Sequence, residues 1–91
     1  MMREPYETLL GQYRDHWLLW KHLEGYEPDF TGLAGEERLA DCSRGEQLMV
    51  NVAWAFYNGD PTARVADLAI LDDENRHRVL DAIRFAMEAY R

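Results

Sequence analysis

The chain has a single cysteine, Cys42, only three prolines, and no long uninterrupted apolar run. One cysteine excludes an internal disulfide, and no zinc-type Cys/His spacing can be built around Cys42, so stability has to come from packing. The missing apolar run excludes a membrane-spanning helix of ordinary length. The opening residues Met1 to Glu7 carry neither the apolar segment nor the cleavage site of a secretory signal, and a cytoplasmic location is the expectation. Bases are also scarce: ten Lys and Arg stand against 17 Asp and Glu, giving a net charge of -7. That sign opposes attraction to phosphate backbones and to anionic membrane surfaces, so direct nucleic-acid or lipid binding is not expected.

Motifs of catalysis are missing as well. There is no Gly-x-Ser-x-Gly elbow, phosphate loop or dinucleotide-binding glycine pattern. His16, His22 and His77 are not spaced to put two imidazoles on one helical face as metal ligands. Asp72, Asp73 and Glu74 lack the alternation, central glycine and closing glutamate of a calcium loop, and carboxylates suit a helix N-terminus through the dipole alone. Cys42 stands before a helix start that could lower its pKa, but Asp41 adjoins it and no histidine is near in sequence. The expectation is therefore no enzyme, no catalytic residue, no metal site and no cofactor.

What the chain does have is apolar content, 47% of residues, with three Trp, five Tyr and three Phe. That is far from the signature of disorder, and the length suits one core, so residues 1–91 read as a single domain. Tyr6, Leu9, Leu10, Tyr13, Trp17, Trp20 and Leu23 recur at three- and four-residue steps, predicting a helix over about 4–24 with Pro5 in its first turn. Leu18 and Leu19 fall off that stripe and make the helix apolar over most of its circumference near Trp17. Gly25, Pro28, Gly32 and Gly35 punctuate a connector, pinned by Tyr26, Phe30 and Leu33, with a short turn at Glu36 to Asp41.

Ser43-Arg44-Gly45-Glu46 has the form of a capping box, starting a second, nearly all-apolar helix over about 43–58 that reads as the centre of the fold. Asn58-Gly59 is a stop, and Asp60-Pro61 opens a short helix through about Ile70. The last helix, about 72–90, places Val79, Leu80, Ile83, Ala86, Met87 and Tyr90 on one apolar face, pairs Arg84 with Glu88 and leaves Phe85 off the stripe. The fold class is all-α: a compact bundle of three main helices and one or two short ones, the first and last packing around 43–58.

Two features bear on function. Glu24, Glu27, Asp29, Glu36, Glu37 and Asp41 are answered in their stretch by Arg38 alone, which predicts an acidic lobe. Trp17 and Trp20, with Trp54, Tyr57 and Phe85, are a surplus of large apolar groups for so short a chain, as at protein-protein interfaces. The favoured reading is a non-catalytic protein-protein interaction module. In its concrete form it is a small acidic inhibitor or regulator, of the phage or mobile-element type, that mimics DNA in the basic groove of a nucleic-acid-handling enzyme. Trp17 and Trp20 are its anchors, and Glu24, Glu27, Asp29, Glu36 and Glu37 its charge. One alternative is a helix-turn-helix-like transcriptional or toxin-antitoxin regulator built on the last three helices, with Arg76, Arg78 and Arg84 facing DNA behind the acidic rim Asp72 to Glu74. The other is a structural homodimer joined through the first helix.

Overall fold

A computed structural model describes residues 6–25, 27–58 and 65–89. Among the described residues, four α-helices, α1 (Tyr6–Leu10), α2 (Phe30–Ala34), α3 (Arg44–Asn58) and α4 (Asp73–Ala89), are accompanied by 3-10 turns at Gly11–Tyr13, Leu19–His22, Glu37–Asp41 and Val65–Ile70. There is no strand among the described residues, and the all-α bundle expected from the sequence is the fold. Its three longer helical stretches are 6–13, 44–58 and 73–89.

α3 begins where the capping box places it. Ser43 N–H donates to Glu46 Oε1 (2.8 Å), and Glu46 N–H donates to Ser43 Oγ (3.1 Å), so two amides left free by the first turn are satisfied reciprocally. Leu48, Met49, Val50, Val52 and Ala53 are all buried, so α3 gives the core more residues than any other described helix. The first and last helices do not pack around it as expected, however: α1 is the element that touches both α3 and α4. α4 starts on Asp72, whose Oδ1 accepts from Asn75 N–H (2.8 Å), and it buries Val79 and Ala82. α1 packs against both α3 and α4, with Leu9 and Met49 fully buried at the junction.

The first stretch departs from the single helix expected over 4–24. α1 tightens into a 3-10 turn at Gly11, where the backbone entropy of glycine weakens the helix, and regular structure ends at Tyr13. His16 then interrupts the chain: its Nδ1 accepts from both Leu18 N–H (3.1 Å) and Leu19 N–H (3.2 Å), amides that a continuous helix would send to preceding carbonyls. The chain restarts as the 3-10 turn Leu19–His22. The break resolves the circumferential apolarity seen in the sequence, because Leu18 and Leu19 go inward while Trp17 and Trp20 stay outside, 51% and 47% exposed.

The connector is ordered by local bonds. Asp29 caps α2 by accepting from Gly32 N–H (3.0 Å), and Phe30 and Leu33 are buried as expected. Gly32 is required by the close approach of two side chains: a Cβ there would lie 2.7 Å from His22 Nδ1 and 2.5 Å from Asp29 Oδ2. Phe30 anchors an aromatic group, meeting Tyr6 and Trp54 edge-on (5.4 and 5.6 Å) and stacking on Tyr57 (4.5 Å).

α4 corrects the sequence reading most. Val79 faces the core, but Leu80, Ile83 and Met87, expected beside it, are exposed. Arg84 pairs with Asp81 (3.9 Å) rather than with Glu88. Pro5, Tyr26, Gly59, Asp60, Pro61 and Tyr90 lie outside the described residues. Because Leu9 is fully buried where three helices meet, Leu9→Ala is expected to cost about 2–5 kcal/mol of unfolding free energy in denaturant melts. Leu80→Ala, on the open face of α4, is expected to cost under about 1 kcal/mol.

Candidate functional site

Of the residues singled out in the sequence, Trp17 is brought to the edge of the acidic stretch, and Glu36 and Asp29 to His22. Trp17 is held on two sides: its ring stacks on His16 (centroids 5.5 Å apart), and the Arg38 guanidinium lies 4.9 Å from its centroid. Arg38 in turn contacts Asp41 (3.5 Å), so one indole borders the acidic stretch directly. Trp20 sits one turn on and is similarly open to solvent. Glu24, Glu27, Asp29 and Glu37 are exposed.

Glu36 differs from the other acids. Its carboxylate is largely enclosed, accepting from His22 Nε2 (3.1 Å), Lys21 Nζ (3.2 Å) and Arg38 N–H (3.3 Å). Bonding to His22, then to Lys21, holds its pKa down at about 2, against an ordinary 4.5. Three donors occupy the lone pairs a partner would use, so Glu36 fastens the 37–41 turn to the 19–22 turn instead of presenting charge.

A second convergence was invisible in the sequence. His16 from the first stretch and Cys42 and Glu46 from the start of α3 bring one ligand-type atom each to within 4.8 Å of one another. The spacing would admit a metal, but the hydrogen bonds oppose it. With Nδ1 accepting two backbone amides, the imidazole proton is on Nε2 and is given to Glu46 Oε2 (2.9 Å). A metal on Nε2 needs that lone pair free, and metal-bound imidazoles donate from their other nitrogen, which here can only accept. Burial, then the charges of Glu46, Asp41 and Glu36, push the Cys42 thiol pKa up, away from the thiolate that metals and electrophiles require. Burial works to raise the Glu46 pKa, but the Ser43 amide and His16 outweigh it and hold the carboxyl below its ordinary value. The trio is a lock between the first stretch and the start of α3.

Two concave surfaces complete the picture. An apolar groove of about 270 Å³ runs between the 65–70 turn and α4, lined by Leu68, Leu71, Val79, Leu80 and Ile83, with Arg76 at its edge. Ile70 and Met87 add to the exposed apolar surface. A polar cleft of about 350 Å³ lies where Gln12 and Tyr13 meet the starts of α3 and α4, reaching Glu46, Asp72 and Asn75. The groove had a signal in the sequence: Arg76, Leu80, Ile83 and Met87 form a separate four-three-four series from Val79, Ala82 and Ala86. The small alanines mark the closely packed side. The three arginines of the helix-turn-helix reading are engaged within α4 or its approach, Arg76 with Ala69 O (2.8 Å) and Asp73, Arg78 with Asn75 and Glu74, Arg84 with Asp81.

The chain matches no protein-family model, no curated protein and no solved structure. Two outcomes follow from the geometry. The Glu36 contribution to stability is complete above the unfolded carboxylate pKa and falls away as pH drops from about 4.5 towards 2. Acid titration of Glu36→Gln should lack that part of the loss seen in the wild type. Equimolar zinc is expected to leave the melting temperature unchanged; a rise abolished in Cys42→Ala would mean that His16 can release its amides to bind metal.

Proposed function

We propose that the chain is a non-catalytic protein-protein interaction module whose partner presents a basic surface, of the kind found in the groove of a nucleic-acid-handling enzyme. The observation that carries this reading is the amount of large apolar side chain left outside the core. Trp17 and Trp20 stand beside the acidic stretch, and Ile70, Leu80, Ile83 and Met87 flank the groove of α4. A small domain with apolar groups to spare gains by covering them, and indoles are efficient anchors because they bring large area with few rotatable bonds. Trp17 is further restrained by His16 and Arg38, so little of its freedom is lost on binding.

Charge sets the partner's sign. Glu24, Glu27, Asp29 and Glu37 are exposed, and the net charge is -7. Carboxylates in such an array take the places of phosphates in a basic groove and speed encounter by attraction. Glu36 is left out of this set because its lone pairs are already used. A non-catalytic reading also accords with a buried Cys42 whose thiol is held protonated.

The test is capture by the immobilised protein from its own cell extract, at low and moderate salt. A nucleic-acid-handling enzyme should be retained, released as salt rises, displaced by duplex DNA, and lost with the Trp17→Ala, Trp20→Ala double variant while circular dichroism is unchanged. Retention of duplex DNA itself, abolished by Arg76→Ala with Arg78→Ala, would replace this reading with a helix-turn-helix regulator. Self-association alone in sedimentation would replace it with a homodimer.

A further inference from the structure

We propose that the exposed face of α4 is a dimer interface, on which α4 of a second copy of this chain lies antiparallel. Arg76, Leu80, Ile83 and Met87 stand four, three and four residues apart and so form one stripe along the helix. From Leu80 onwards the stripe is apolar, and it is open: Met87 is 69% exposed and Leu80 57%. It borders the groove of about 270 Å³ that Leu68 and Leu71 help to line.

The order of residues about Ala82 identifies the occupant. In a two-fold antiparallel pair of helices, residues equally far on either side of the axis stand level with each other. The midpoints of Leu80 and Ile83, of Arg76 and Glu88, and of Asp81 and Arg84 all fall within one residue of Ala82. A single register therefore layers Leu80 of one copy on Ile83 of the other. The same register brings Arg76 level with Glu88 and Arg84 level with Asp81, pairs of opposite charge that the symmetry forms twice. Met87 comes level with Arg76 at the edge of the groove, and an unbranched thioether adapts well to so irregular a space.

The charges are available for this pairing. Glu88 is exposed and makes no ion pair among the described residues. Arg76 uses Nη1 on Asp73 and Nη2 on Ala69 O, while a guanidinium carries five N–H donors. Arg84 approaches its own Asp81 only to 3.9 Å, and both side chains are exposed. Other occupants fit less well. A phosphate backbone would meet Asp73, Glu74, Asp81 and Glu88, and a basic groove would meet Arg76, Arg78 and Arg84. A parallel pair would set Arg76 against its own copy. The interface uses neither indole of the first stretch nor the acidic stretch, and it does not rest on the function proposed above.

One helix from each copy is a small contact beside the about 800 Å² per partner of a stable complex, so association is expected at micromolar concentrations. Sedimentation of the full chain over about 1 to 500 µM should show a monomer–dimer equilibrium. Leu80→Glu should weaken it about tenfold or more with circular dichroism unchanged, since Leu80 lies at the surface. Arg76→Glu and Glu88→Arg should each self-associate about tenfold more weakly than the wild type. Their equimolar mixture, in which both contacts between positions 76 and 88 are again opposite in charge, should regain wild-type association. A monomer throughout that range, association unchanged by Leu80→Glu, or a mixture no tighter than its components would overturn the assignment.

Discussion

The arrangement of the bundle depends on one imidazole. His16 takes two amide protons on Nδ1 and gives its own proton from Nε2 to Glu46, which is also the closing residue of the α3 capping box. The same carboxylate thus starts α3 and fixes the point where the preceding chain turns. Without an acceptor at His16, the amides of Leu18 and Leu19 would return to the helical ladder, and the stretch through Trp20 would continue in one direction. The turn sends Leu18 and Leu19 into the interior and leaves both indoles at the surface. Neutrality of the imidazole matters here, since a proton on Nδ1 would face two N–H groups.

A second clasp repeats the logic. Glu36 draws in His22 and Lys21, and with Gly32 clearing space for His22 it holds the connector close to the 19–22 turn. The acidic stretch is consequently divided. One member is consumed inside the fold, while Glu24, Glu27, Asp29 and Glu37 remain at the solvent. Counting acids along the sequence overstates the charge that a partner would meet.

How much of this was legible follows from the range of each interaction. The capping box of α3, the Asp72 start of α4 and the burial of Phe30 and Leu33 are set by neighbours within one turn, and the sequence displays them. The break at His16 is also local, yet periodicity conceals it, because Trp17 and Trp20 continue the apolar spacing although the helix does not. The face of α4 that turns inward depends on the side from which α1 approaches, so Leu80, Ile83 and Met87 read as core until the packing is seen. The lock of His16, Cys42 and Glu46 and the cleft at Tyr13 join residues far apart in the chain, and no spacing rule points to them.

The meeting of the first stretch with α4 has a consequence for how the molecule comes into being. Gln12 is bonded to Asn75, 63 positions away, and α1 packs against α4 as well as α3. On the ribosome, the seat of Leu9 and Leu10 therefore stays half built until residues of α4 have emerged from the exit tunnel. Until then the apolar faces of the first stretch and of α3 are open together, and the growing chain is a candidate for chaperone holding. Closure of the bundle waits on α4, which follows α1 and α3 in the chain.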